Sequence, residues 1–329
     1  MILVCGICSE GSVARLMRAL DEHGAPYRFL DQRRTPSSVI RLEHGGNGAA
    51  PDGVLEHDGW KLALSEVSGL YLRLMDDRLL PELAGEPPGS PLRTACRAFH
   101  DLIGQWAELT DARVLNRYSA MGSNFSKPYQ LQLIAEHGLG VPETLVTNDP
   151  ELVREFRAAH GRVVYKSISS ERSIVKELDA ADLERLDAIR WCPVQFQAYV
   201  EGTDVRVHVV GEAVFATAIT TSATDYRYAH RELGVEASFE ATALSDETAA
   251  RCVALARDLG LGFAGIDLRT TPEGRAVCFE VNPSPVYSYY ESHTGQPIAA
   301  AVAAYLAGDG SQLGEWLTTP APARRPRAR

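Results

Sequence analysis

Three oxygen-bearing side chains in the last third of the chain carry the strongest chemical signal. Asp267 lies in Gly265-Ile-Asp-Leu268, and Glu280 and Asn282 lie in Phe279-Glu-Val-Asn-Pro283. Both runs read as short strands. Paired, they would project Asp267 and Glu280 from one face, and Asn282, two residues beyond Glu280, would face the same way. Two carboxylates and an amide oxygen form a hard, all-oxygen set of the kind that holds Mg²⁺ against phosphates. The plain alternative is a surface acid and a turn acid before Pro283. The apolar flanks of both acids weigh against it, because a buried acid without partners is costly.

Cations suited to an anionic chain lie upstream. Lys127 precedes Pro128 at a helix start, and Lys166 ends an apolar strand, so its ammonium falls at a sheet end or in a cleft. Either alone is unremarkable, since most lysines are solvated; two converging on phosphates make electrostatic sense. The polar stretch Ser167-Ile-Ser-Ser-Glu-Arg-Ser173 follows directly. There Ser169, Ser170, Arg172 and Ser173, with backbone N–H groups, are suited to covering phosphates, although a plain hairpin loop would also be polar. Arg206 in Asp204-Val-Arg206 and Arg227 in Thr224-Asp-Tyr-Arg227 offer bidentate recognition of carboxylate or phosphate.

The elements that must position these residues follow from apolar periodicity and turn chemistry. Residues 1–35 read strand, turn, helix, strand, with Ser12 as the expected helix cap before Val13, Leu16, Met17 and Leu20. There is no G-x-G-x-x-G, and Gly45-Gly-Asn-Gly48 lacks the Lys and Ser/Thr of a P-loop, so that segment reads as a turn. Val67–Arg73 is a strand, and a helix covers about 92–109. A helix from 126, ended by Gly138 and Gly140, leads to a strand at 144–147 and a helix capped by Asn148 or Asp149 with Pro150 at its first position. Strands follow at 162–166, 194–200, 204–210 and 213–216, the last two joined by a Gly211-Glu212 hairpin turn. A helix at 246–259, the two acid-bearing strands and a helix at 297–306 complete the order. The Pro/Ala/Arg-rich end, 320–329, reads as disordered.

Composition narrows the class. The chain has 329 residues, 45% of them hydrophobic, and a formal net charge of -10. That acidity argues against a general nucleic-acid binder, which needs a basic face. The N-terminus has no basic leader, and no apolar run approaches about 18 residues, so no membrane span is expected and the cytoplasm is the default location. Cys5-x-x-Cys8 has metal spacing but no second pair or His cluster, so it reads as a buried strand cysteine and a turn cysteine.

Taken in order, these segments resemble the ATP-grasp superfamily, specifically its RimK-like ligases, over roughly residues 115–306. Asn116-Arg117, Ser126-Lys-Pro128 and Val141-Pro-Glu-Thr-Leu-Val-Thr147 resemble the opening of the module. The resemblance implies that Lys127 and Lys166 are the nucleotide lysines and that Gln197, Ala198, Tyr199 and Val200 form a hinge reading the adenine edge. Glu201 would lie near the ribose, with Asp204 in the nucleotide site. Asp267, Glu280 and Asn282 would bind Mg²⁺, or Mn²⁺ in its place, and Arg206 and Arg227 would act at the reacting groups. The phosphate loop departs from the family's glycine-rich pattern, since 167–173 contains no glycine. The implied fold is α/β (α+β): a small N-terminal α/β domain, 1–110, before two α+β subdomains, 111–200 and 201–310, that clamp ATP, then a tail at 311–329.

The implied reaction is activation of a carboxylate as an acyl phosphate, then capture by a nucleophile, with ADP and phosphate released. Three readings of the whole stay open. The first is a ligase joining an amino acid to a peptide, protein or small acid. The second is a graspetide-type maturase forming ester or amide crosslinks in a ribosomal peptide, which Thr144–Pro150 and Asp225-Tyr-Arg227 also resemble. The third is a non-catalytic ATP-binding module, disfavoured because both lysines and all three oxygen ligands are present. The partner is a small-molecule, amino-acid or peptide substrate, with a homo-oligomer allowed. Residues 283–293 are the expected acceptor lining.

Overall fold

The computed structural model describes residues 1–44, 52–168, 174–221, 237–308, 314 and 316. The chain begins with β1 (Ile2–Gly6), α1 (Gly11–Glu22) and β2 (Tyr27–Asp31). All five β1 residues are buried, as a continuous apolar run in a central parallel strand demands. Next come β3 (Val39–Glu43), β4 (Asp52–His57) and β5 (Trp60–Ala63), a three-stranded antiparallel sheet that the sequence reading did not anticipate. Gly45–Gly48 lie outside the described residues. Then β6 (Gly69–Leu72), α2 (Pro91–Leu109) and β7 (Arg113–Leu115) complete a four-stranded sheet of order β2-β1-β6-β7, whose pairs are all parallel.

One local expectation is corrected. Ser12 does not cap α1. Glu10 does, accepting from the Val13 N–H at 2.9 Å. The helix starts two residues earlier than expected, at Gly11, which turns Ser12 into the core, where it is fully buried. There its carbonyl accepts from the Tyr287 hydroxyl at 2.7 Å.

The second sheet is antiparallel. It follows α3 (Lys127–Glu136) and is built from β8 (Thr144–Thr147), β9 (Val163–Ser167), β10 (Lys176–Glu177) and β11 (Val194–Ala198), in the order β10-β9-β11-β8. On it pack α4 (Pro150–His160), capped by Asp149 with Pro150 in its first turn, and α5 (Ala180–Glu184) lies beside it. Its small core is Val153, Val163, Leu178, Leu186 and Phe196.

The third sheet has order β14-β13-β12-β15-β16, from β12 (Thr203–Val210), β13 (Ala213–Thr220), β14 (Ser238–Thr242), β15 (Phe263–Thr270) and β16 (Ala276–Asn282). Between β14 and β15 runs α6 (Asp246–Asp258). Its apolar face meets Val207, Ala264, Ile266 and Val281, and Leu131 and Ile134 of α3 join the same cluster. So α3 precedes the second sheet in sequence but packs on the third. The chain closes with α7 (Ser288–Thr294) and α8 (Ile298–Ala307). Helix α8 is apolar nearly all round. It lies in one continuous core with Ile2, Val4, Leu16 and Tyr71 of the first layer and Val210, Phe215 and Phe263 of the third sheet.

Arg73 and Asn116 are among the polar ties that join the first layer to the third. Arg73, after β6, donates through Nη1 to the Ser284 and Pro285 carbonyls at 3.3 and 3.2 Å, while Nε pairs with Glu10 at 3.1 Å. Asn116, after β7, is 3% exposed. Its Nδ2 donates to the Phe263 and Pro283 carbonyls, each at 2.6 Å, and its Oδ1 accepts from the Phe263 N–H at 3.1 Å. One amide therefore pins the start of β15 and the end of β16. Asn116→Ala would leave those three backbone groups without their partner, and it is expected to lower stability by about 3 kcal/mol, since orphaned buried groups cost roughly 1–3 kcal/mol each. Denaturant midpoints of wild type and variant measure this; a shift under about 0.5 kcal/mol would remove Asn116 as the tie.

Candidate functional site

The two acids meet because β16 is irregular. Gly265, Ile266 and Asp267 stand opposite Asn282, Val281 and Glu280, and then Leu268 stands opposite Cys278. Phe279 is the extra residue of a β-bulge, a device that re-aims side chains beside functional sites. Without it Glu280 would face Ile266, which is fully buried in the core. With it Glu280 is Asp267's direct cross-strand neighbour, and Phe279 and Glu280 both line one cleft.

Two like charges side by side need compensation, and each acid has its own cation. Arg206 on β12 reaches Asp267 at 2.7 Å, and Lys127 at the head of α3 reaches Glu280 at 3.3 Å. Both cations are 6% exposed, while the acid side chains keep 27% and 23% of their surface open. Gly265 makes room for this arrangement. A Cβ there would overlap the Arg206 guanidinium and stand 2.6 Å from Pro285 Cβ. Asn282 Oδ1 accepts from the Ser284 N–H at 2.8 Å and, as a carbonyl oxygen, retains a second acceptor position. Among the described residues no three His, Cys, Asp or Glu side chains gather into a metal cluster. Two carboxylates with open faces plus an amide oxygen nevertheless fit a divalent cation of the Mg²⁺ or Mn²⁺ type, which completes its shell with phosphate and water.

The cleft lies between the second and third sheets. Lys166, Gln197, Ala198, Tyr199, Val200, Asp204, Arg206, Asp267 and Glu280 line it. Strand β11 ends at Ala198, so Tyr199 and Val200 form a connection beyond it rather than the tail of a strand. The Ala198 N–H bonds the Glu143 carbonyl, the Tyr199 N–H bonds the Arg162 carbonyl, and the Val200 carbonyl accepts from Arg269 at 2.7 Å. Among the described residues none accepts from the Val200 N–H.

Other sequence candidates fall elsewhere. Glu201 is exposed at the rim and held by Arg162 at 2.5 Å, away from the cleft lining. Ser169, Ser170, Arg172, Ser173 and Arg227 lie outside the described residues. Cys5 is buried and its thiol pKa is raised by that burial, while Cys8 is exposed.

Sequence reading missed Arg269. It pairs with Asp204 at 2.7 Å, bonds Val200 and lies 5.4 Å from the Tyr199 and Phe279 ring centroids. The signal was available, since Arg269 is two residues beyond Asp267 and so shares its face. His208 was also passed over. Burial, then the neighbouring Arg206 charge, hold its pKa well below the ordinary value, so it is a neutral core residue at pH 7.

One cleft thus brings together Lys166, Arg206, the paired acids and the connection after β11. The family model of the RimK-like ATP-grasp domain matches residues 126–306. A probable alpha-L-glutamate ligase of Alkalilimnicola ehrlichii is 29% identical over 208 residues, covering 60% of this chain and 68% of that protein. Among solved structures, the ATP-grasp ligase PsnB complexed with a minimal precursor, Mg and ADP has a TM-score of 0.73 and 29% identity, covering 93% of this chain and 97% of that one. The macrocyclase MdnC of Microcystis aeruginosa MRC, bound with a precursor peptide, has a TM-score of 0.75 at 24% identity, covering 94% of this chain and 100% of that one, a likeness of fold. A domain model that takes in more than half the chain, together with the fold and the cleft it encloses, places this protein in the RimK-like ATP-grasp family.

Proposed function

We propose that this protein is an ATP- and Mg²⁺-dependent ligase that activates a carboxylate as an acyl phosphate and couples it to an amine. The observation that carries this reading is the facing pair Asp267 and Glu280, each matched by a buried cation from a different element. In this reading the Val200 N–H binds the adenine edge, and Tyr199 and Arg269 border the base. Lys127 and Lys166 bring positive charge to the phosphates, where hydroxyls of Ser169, Ser170 and Ser173 and the Arg172 guanidinium close over them. Held by Asp267, Glu280 and Asn282, Mg²⁺ would supply charge at the terminal phosphates during transfer. Arg206, already pinned to Asp267, and Arg227 orient the substrate carboxylate. A carboxylate oxygen attacks the γ-phosphorus as the bond to ADP breaks. The amine then attacks the acyl carbon, phosphate leaves, and the amine gives up its proton. The chain's share of the work is positioning and charge stabilisation.

A second reading has a specific observation in its favour. The ligase PsnB, solved in complex with a minimal precursor, is 29% identical to this chain and aligns over 93% of it. A peptide carrying both the acid and the nucleophile, joined into an ester or amide crosslink, is therefore the alternative substrate class. Among the described residues no helix is long and apolar enough to cross a membrane.

Three outcomes are expected. Asp267→Asn and Glu280→Gln should each reduce turnover at least about 10²–10³-fold, the usual loss for one positioned electrostatic group, with circular dichroism unchanged; near-normal turnover in both removes the metal assignment. Lys166→Met should weaken ATP binding and slow phosphoryl transfer, and wild-type affinity by calorimetry together with wild-type turnover would return Lys166 to a structural role. With substrate carboxylate labelled by ¹⁸O, label should appear in inorganic phosphate alongside ADP. Stoichiometric AMP and pyrophosphate would refute the acyl-phosphate route, and no nucleotide turnover with any acid or peptide would favour a binding module.

A further inference from the structure

The outer edge of β16 is covered by the segment that begins at Lys127, and the bulge decides how. Before the bulge, the Ala276 carbonyl accepts from the Gly140 N–H at 3.0 Å, and the Cys278 N–H donates to the Gly140 carbonyl at 2.7 Å. After it, the outward-facing backbone groups belong to Val281, the residue between Glu280 and Asn282. Gln130 takes both. Its Nε2 donates to the Val281 carbonyl and its Oε1 accepts from the Val281 N–H, each at 2.9 Å. Only one orientation of the amide satisfies both bonds. Gln130 is 2% exposed and lies one helical turn beyond Lys127, so both reach β16 from one face of α3.

We propose that Gln130 is a positioning residue for the ion site: its two-bond clamp on Val281 fixes the separation and aim of Glu280 and Asn282. This role rests on the metal reading of those side chains. A strand edge carries two donors of the set, and nothing in β15 restrains the outward side of that edge. Pairing with β15 sets Glu280 opposite Asp267, and the side-chain amide restrains the outward side of the residue between Glu280 and Asn282. Outer partners of this kind typically change metal affinity or activity by about 10–100-fold when removed.

The test compares Gln130→Met, which keeps length and burial but neither bond, with Ile134→Ala, a core truncation one turn further along the same helix face. Retention of Mn²⁺ in the presence of ADP is measured by counting free Mn²⁺ by electron paramagnetic resonance, and melting temperatures are recorded in parallel. Gln130→Met is expected to raise the apparent Mn²⁺ dissociation constant at least about 10-fold. Ile134→Ala, at an equal or larger loss of melting temperature, should leave that constant within about two-fold. If Gln130→Met does not fold, Gln130→Asn, which carries the amide on an arm one methylene shorter, makes the same comparison. Equal retention by wild type and the Gln130 variant, or an equal loss in Ile134→Ala, overturns the positioning role while leaving the metal reading standing. A wild-type chain that retains no Mn²⁺ with ADP overturns both.

Discussion

Two carboxylates on neighbouring strands, partly shielded from water, repel each other, and the structure of this site follows from meeting that repulsion before any ion arrives. Asp267 and Glu280 each hold a buried cation, and the two cations come from opposite sides: Arg206 along the sheet from β12, and Lys127 from α3 beyond the outer edge of β16. The third sheet and the helix ahead of the second sheet must therefore be in register for the acids to be tolerated at all. The glycine at position 265 is part of the same solution, because a side chain there would displace the guanidinium. On the proposed metal reading, a cation would meet carboxylates that already hold partners rather than a cluster of bare negative charge.

Much of this was legible in the amino-acid sequence. Periodicity located β9, β12, β15 and β16, and Asp149-Pro150 marked the start of α4, because those signals are local. The order of lysine, hinge, aspartate, glutamate and asparagine suggested the site. What stayed hidden depends on pairing. Counting by twos places Glu280 and Asn282 on one face, but only the register shows that an inserted Phe279 turns that face toward Asp267. Gln130 read as an ordinary helix residue because its partners are backbone groups 151 positions away. Ser12 was misread for a related reason. A serine at a helix start is a cap by local rules, yet tertiary packing drew it inward and left the longer Glu10 to serve. The three-stranded sheet at 39–63 escaped because its turn-rich middle masked the alternation on either side.

The connection proposed as the hinge has few backbone groups without partners among the described residues. Arg269 occupies the Val200 carbonyl, and the two preceding N–H groups are spent on Glu143 and Arg162. On the proposed reading, a base would meet the Val200 N–H between aromatic and guanidinium surfaces, which favours a ring with an acceptor at its edge.

The first layer has a parallel sheet with strands added on either side of β1, and the crevice at the ends of β1 and β6 is where such sheets ordinarily receive ligands. Here the chain's own loop enters it: Arg73 grips Ser284 and Pro285, and Ser12 receives Tyr287, only a few residues after Asn282. Because α8 also runs through the same core, the opening hundred residues are not a detachable module. In a chimera that swapped them for those of a relative, the foreign crevice would have to accommodate this loop, so the natural unit of exchange joins residues 1–115 with 284–307.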